Sequence, residues 1–332
     1  MRAGGADVRL CETAPVSMKV PEQAVDEPAP VVAVVGPTAS GKSDLGVALA
    51  LALGGEVINA DSMQLYRGMD IGTAKLTPEQ RHGVPHHLID VLDVTEEASV
   101  AAFQRDARAQ LDRLREQGRA AILVGGSGLY VRAVLDPLDI PPTDPGLRAR
   151  LEAELARAGA PPMHARLAAL DPDAARRILP SNGRRIVRAL EVIELTGGRF
   201  QAALPDPAPV PGCVLLGLRV PREDLDVRIA ARVDRMWEAG LVEETRRLEA
   251  RGLRSGRTAS RALGYAQVLH LLAGQFTPEQ AAQETVRATR RFARRQESWL
   301  RRDPRVRWLP YDAPDLTRLA LAEVEGVDAR GA

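Results

Sequence analysis

Residues 31–43 read Val-Val-Ala-Val-Val-Gly-Pro-Thr-Ala-Ser-Gly-Lys-Ser, and this stretch decides the fold. Val31–Val35 is an unbroken apolar, mostly β-branched run of the kind buried on both faces of a parallel sheet. Gly36 to Ser43 complete the pattern G-x-x-x-x-G-K-S, and a helical stretch from Lys42 to Leu53 follows, ended by Gly54-Gly55. A strand, a glycine-rich turn and a helix, in that order, form the setting in which this pattern holds phosphate. The glycines let successive N–H groups converge, and the helix N-terminus adds positive potential. Gly36, Thr38, Ala39, Ser40, Gly41, Lys42 and Ser43 are therefore the candidate diphosphate-binding residues. Lys42 brings a point charge, and the Ser43 hydroxyl is the candidate ligand for Mg²⁺. The loop selects a di- or triphosphate without saying which.

Outward from this loop the chain alternates. Val57-Ile58-Asn59 reads as a short second strand, and a loop bearing His86-His87 follows. Ser99 can cap a helix from Val100 to Gln117, with Gly118 at its end. Ala120–Val124 is another buried strand, ending in Gly125-Gly126. Such alternation predicts an α/β fold: a P-loop NTPase-like parallel sheet flanked by helices. From residue 137 to 211 prolines cluster around Arg/Ala/Leu-rich helical segments without a strand, which predicts an inserted helical subdomain. Cys213–Leu218 reads as the returning strand. The core thus covers 31–136 and 212–310, with C-terminal helices. Residues 1–30 read as a disordered extension, and 311–332 as a frayed polar tail.

In a chain of 332 residues, 45% hydrophobic and 27% charged, a packed core is expected. Net charge is only +1, so nucleic-acid binding needs a local patch and not an overall field. Of the 45 basic residues only Lys19, Lys42 and Lys75 are lysines, which makes a lysine inside a motif informative. Cys11 and Cys213 have no metal-ligand spacing, so the chain reads as cytoplasmic, without a disulfide framework. No apolar run is long enough to span a bilayer.

Phosphoryl transfer ordinarily wants an aspartate after an apolar strand to hold the metal. Here the strand at 120–124 runs into Gly125-Gly126-Ser127-Gly128, and the nearest strand-end carboxylate is Asp61. A plain NTPase is a poor match. His86 and His87 lack nearby acidic or cysteine partners at metal spacing, so a loop-ordering role is the expectation for them.

Several strings taken together resemble the family of tRNA dimethylallyltransferases, also called tRNA isopentenyltransferases. They are GPTASGKS at Gly36–Ser43, NADSMQLY at Asn59–Tyr66, DIGTAK at Asp70–Lys75, HHLID at His86–Asp90 and GGSGLY at Gly125–Tyr130. Arg184–Val192 and Arg294–Arg301 look like the family's RNA-facing segments. Arg261–Tyr265 resembles a further family string, whose glycine and aromatic can equally end and pack a helix. The match runs in order from about residue 31 to 310. The resemblance implies transfer of a dimethylallyl group from dimethylallyl diphosphate to N6 of the adenosine 3′-adjacent to the anticodon, with release of pyrophosphate. It assigns Asp61 the role of orienting and deprotonating the amine. Ser127, where the family generally carries Thr, would join Lys42 in stabilising the leaving charge.

For tRNA, the implied contacts are Asp61, Ser62, Met63, Gln64, Arg184, Arg185, Ile186, Val187, Arg188, Arg294, Arg295, Gln296, Trp299 and Arg301. Nine arginines lie between Ala281 and Pro310, with Trp299 and Trp308 interleaved, a composition suited to phosphates and splayed bases. The expected partners are a tRNA anticodon stem-loop and dimethylallyl diphosphate, for a monomer with no membrane association. The competing readings are a P-loop small-molecule or nucleoside kinase and a non-catalytic RNA-binding adaptor.

Overall fold

A computed structural model describes residues 29–201, 205–207, 210 and 212–331. The expectation for residues 1–30 therefore lies, but for its last two positions, outside the described residues. The core opens with β1 (Val31–Val35), α1 (Lys42–Ala52), β2 (Glu56–Asn59) and β3 (His86–His87). Next come α2 (Val100–Glu116), β4 (Ala121–Gly125) and α3 (Gly128–Leu135). The insertion holds α4 (Pro145–Ala158), α5 (Ala160–Leu170), α6 (Pro172–Arg177) and α7 (Gly183–Thr196). The chain returns through β5 (Cys213–Arg219), α8 (Arg222–Glu238), α9 (Leu241–Ala250) and α10 (Tyr265–Leu272). It closes with α11 (Pro278–Leu300), β6 (Val306–Pro310) and α12 (Leu316–Gly331).

The six strands form one sheet in the order β3-β2-β4-β1-β5-β6, and every pairing is parallel. Alternation along the strands divides the core between two faces. Val32, Val34, Ile122, Val124 and Leu216 pack with α1 and α12, while Ala33, Val35, Leu123 and Leu215 pack with α2 and α3. The insertion has its own core around Leu151, Met163, Leu167, Ile186 and Leu190. Arg132, on α3, holds the two ends of the insertion together, since it pairs with Asp136 and donates to the Pro205 carbonyl at 2.5 Å.

Three elements depart from the expectations. The pair His86-His87, expected in a loop, adds a two-residue strand beside β2, with His87 Nε2 2.5 Å from the buried Glu56 carboxylate. Residues 306–310 form the edge strand β6, anchored by Val306 and Leu309. The closing segment, expected to fray, is helix α12, held by Ala320 and Val324 in the α1-side core. Its short apolar stripe is diluted by charges, so its buried face stands out only once α1 and β6 are beside it.

Candidate active site at the carboxyl edge of the sheet

The parallel register places the functional turns side by side. Val35 pairs with Gly125, and Asn59 pairs with Val124. The phosphate loop after β1, the Asp61 turn after β2 and the Ser127 turn after β4 therefore leave the sheet together. Open α/β sheets bind ligands at this carboxyl edge.

In the phosphate loop the chain reverses into α1 through Ala39 (φ 64°) and Gly41 (φ 97°), the left-handed region in which glycine is unstrained. Arg228 Nε holds the reversal by donating to the Ala39 carbonyl at 2.8 Å. Lys42 folds back, and its Nζ donates to the Pro37 carbonyl at 2.8 Å. Burial pulls the Lys42 ammonium down to about 8; the nearby Asp61 charge opposes this and that of Arg232 adds to it. Ser43 stands in the first turn of α1, partly exposed. Ser40 Oγ is buried without a hydrogen-bond partner, packed toward Gly36.

Asp61 sits in a turn built by Asn59. The Asn59 side chain accepts from Asp61 N at 2.9 Å and donates to the carbonyls of Asp61 at 3.0 Å and Leu88 at 2.8 Å. Asp61 Oδ1 accepts from Met63 N at 2.9 Å, so one carboxylate oxygen is spent on orienting the group. Tyr130 hydrogen-bonds Ser62, which favours its ionised form, but burial chiefly, with the nearby Tyr66 and Asp61, pushes its phenol up to about 12. Gln64 Nε2 donates to the Thr73 carbonyl at 3.2 Å, which also accepts from Arg232 Nη2 at 3.2 Å. The loop carrying Thr73 is itself braced, because Glu244 accepts from Ile71 N and Gly72 N and from the Tyr265 hydroxyl. The 261–265 string thus packs onto the 70–75 loop.

Arg232 was not among the sequence candidates. Burial lowers its pKa and Asp61 raises it, which puts it within charge range of the carboxylate. Arg228 and Arg232 are four residues apart on one face of α8; that arginine pair, in a helix following the returning strand, is the signal available in the sequence. Lys42, Arg232 and Asp61 together leave one net positive charge beside the loop, which suits an anion.

Ser127 stands at the N-cap of α3 without a side-chain capping bond and stays partly exposed, which leaves its hydroxyl available at this edge. Gln296 and Trp299, expected to face RNA, belong to the interior side of α11. Gln296 is 8% exposed, accepts from Thr38 N at 2.9 Å and donates to the Gly126 carbonyl at 3.0 Å. Trp299 packs in the α2-side core so tightly over Gly128 that a Cβ there would come within 1.8 Å of the ring.

Arg294, Arg295 and Arg301 are exposed along the outer face of α11 and at its end. The other arginines of that stretch are largely committed: Arg287 and Arg291 to Glu284, Arg305 to Asp136 and Asp303, Arg307 to Glu323. In the insertion, Arg184 and Arg185 are exposed, whereas the side chains of Ile186 and Val187 pack into its core, as helical periodicity requires. Arg188 is spent on the Pro141 and Pro142 carbonyls and on Glu191.

Among the described residues no group of three or more His, Cys, Asp or Glu side chains is arranged to hold a metal ion. In the phosphate-loop pattern, however, the hydroxyl at the position of Ser43 is the one that meets Mg²⁺ beside the phosphates, so Ser43 fits that ion. Among the same residues no helix is long and apolar enough to cross a membrane.

The chain is similar to known proteins over most of its length. The family model described as IPP transferase matches residues 64–303. The tRNA dimethylallyltransferase of Thermobifida fusca is 70% identical over 89% of this chain and 94% of its own length. That of Streptomyces coelicolor is 68% identical over 90% and 97%. The crystal structure of the full-length tRNA isopentenylpyrophosphate transferase from Bacillus halodurans superposes with a TM-score of 0.66 at 41% identity, over 91% of this chain and 98% of that one. A eukaryotic dimethylallyltransferase acting on tRNA shares the fold, with a TM-score of 0.76 at 24% identity over 92% and 80%.

Proposed function

The chain belongs to the IPP transferase family, and from that premise we propose that it moves a dimethylallyl group from dimethylallyl diphosphate to N6 of the adenosine 3′-adjacent to the anticodon of tRNA. The observation that carries this reading is the meeting of an anion cradle and an oriented carboxylate at one sheet edge, with Asp61 in charge contact with Lys42 and Arg232. A kinase would want that carboxylate on a metal; here it faces the cations of the cradle and is oriented by its own turn.

In this reaction the bond between C1 of the donor and the bridging oxygen breaks, and its electron pair leaves with pyrophosphate. The N6 lone pair forms the new N–C bond, and the N6 proton passes to the Asp61 carboxylate. The exocyclic amine is a weak nucleophile because its lone pair is delocalised, so a carboxylate accepting its hydrogen both aims and activates it. Lys42, Arg232, the N–H groups of residues 39–43 and the Ser127 hydroxyl stabilise the charge that develops on the leaving group. Mg²⁺ held by Ser43 and the diphosphate oxygens would supply further neutralisation of that charge.

Arg294, Arg295 and Arg301 give the anticodon stem-loop a basic face, and Arg184 and Arg185 offer a second one across the insertion. The target base has to leave its stack to reach Asp61. We assign the protein to the cytoplasm, as a monomer. Incubating purified protein with dimethylallyl diphosphate, Mg²⁺ and unmodified tRNA, then analysing the nucleosides by mass, tests the reading. A prenylated adenosine and free pyrophosphate are expected. ATP consumption with a phosphorylated acceptor and no prenylated nucleoside would overturn it.

A further inference from the structure

One side chain links the two halves of the cradle. Gln296 reaches from α11 between the phosphate loop and the turn that carries Ser127, and its two amide atoms are divided between them. Its Oε1 accepts from Thr38 N at 2.9 Å and its Nε2 donates to the Gly126 carbonyl at 3.0 Å. The fit is close on every side. A Cβ on Gly126 would lie 2.2 Å from Gln296 Nε2 and 3.0 Å from the Gly36 carbonyl, so the two backbone turns and the amide pack without slack. The neighbours of Gln296 on the helix point the other way: Arg294 and Arg295 are exposed.

We propose that Gln296 is a positioning residue that fixes the spacing between the phosphate loop and the Ser127 turn, and so links the arginine-bearing face of α11 to the leaving-group site. The proposal rests on the prenyl-transfer reading and deepens it.

Converging N–H groups in a phosphate loop repel one another without an anion. Tying Thr38 N to Gln296 removes one of them from that competition and leaves the loop in its receptive shape. Preorganised donors cost no rearrangement when charge develops, which is why their placement matters for rate. The second bond transmits the same constraint to β4, so the Ser127 hydroxyl keeps its distance from the loop. A shift of α11 on binding an RNA backbone at Arg294, Arg295 and Arg301 would be felt at both bonds, and by reciprocity a bound diphosphate would favour RNA binding.

The test uses the full chain with two variants. Gln296→Met removes both bonds at similar volume. Gln296→Glu keeps the acceptor toward Thr38 N, loses the donor toward Gly126, and is nearly isosteric, so it folds if the other does not. Calorimetry with inorganic pyrophosphate and Mg²⁺, and separate titration with an anticodon stem-loop, give the two affinities. Transfer kinetics give KM for each substrate. In both variants we expect the pyrophosphate Kd and the donor KM to rise about tenfold or more, the size of losing hydrogen bonds at a buried site, with stem-loop Kd within about twofold of the parent.

Weaker stem-loop binding with an unchanged pyrophosphate Kd would overturn the proposal in favour of direct RNA contact. A lowered melting temperature with both affinities unchanged would overturn it in favour of plain packing. Should the parent protein bind pyrophosphate but prenylate no tRNA, the prenyl-transfer reading fails, while the pyrophosphate titration still decides the role of Gln296.

Discussion

Replacing Gly128 by alanine sets two effects of opposite sign against each other. Gly128 is the first residue of α3, and alanine favours a helix over glycine by up to about 1 kcal/mol, less at a terminus. Against this, the added Cβ would stand 1.8 Å from Trp299 Cε3 and 1.9 Å from Cζ3. Carbon atoms rest about 3.5–4.0 Å apart, so the indole has to move by nearly 2 Å. It is packed in the same core as Tyr130, Val131 and Leu300 and has little room to do so. Overpacking of this kind costs about 1–3 kcal/mol, which outweighs the helical gain. The net loss of about 1–2 kcal/mol should lower a thermal melt by about 2–8 °C, at about 2–4 °C per kcal/mol for a domain this large. Trp299→Leu removes the obstruction, so the double variant should be no less stable than Trp299→Leu alone, a coupling of at least about 1 kcal/mol. A Gly128→Ala protein as stable as the parent would refute the packing of Trp299 over α3, and would return Trp299 to the RNA face.

Lys42, lowered to about 8 by burial, is charged at pH 7 and loses its proton as pH rises past 8. Diphosphate binding prefers the charged form, so donor KM should climb by up to about tenfold per pH unit between 8 and 10, while a KM flat across that range contradicts the placement of Lys42 at the anion. Single alanine substitutions at Arg294, Arg295 or Arg301 should weaken the stem-loop and make the salt dependence of binding shallower by about one phosphate contact each, with donor KM unchanged; an unaltered salt slope removes that face from the interface. Asp61→Asn keeps the size of the group but not the base. It should lower kcat by about 10²–10⁴ with stem-loop affinity kept within a few-fold, and near-normal turnover in single-turnover assays would rule Asp61 out as the proton acceptor.

Much of the sheet was legible because its strands are short, apolar and bounded by glycine. The phosphate loop was legible because each residue of its pattern has a separate physical task. The edge strands were harder. His86-His87 has no apolar pattern and is a strand only because β2 lies beside it. In Val306–Pro310, half-buried Arg307 and Trp308 stand between buried Val306 and Leu309, so no clean alternation marks the strand, and the run follows an arginine-rich helix whose charge masks it. The inward packing of Gln296 and Trp299 on α11 was not legible because composition counts residues without regard to face. Thr285, Thr289, Gln296 and Leu300 return to one side of the helix, and a polar residue on such a stripe has to find partners inside. Arg232 was missed for the same reason: its role depends on loops more than 150 residues earlier, which no local pattern records.

The central claim is that the glycine-lined loop holds a departing pyrophosphate while nitrogen attacks carbon. A donor carrying heavy oxygen at the bridge between C1 and the adjacent phosphorus tests it in a single turnover with tRNA. The account predicts that all of the label appears in pyrophosphate, one pyrophosphate per prenylated adenosine. Label recovered in dimethylallyl alcohol, with phosphorus transferred to an acceptor, would contradict it.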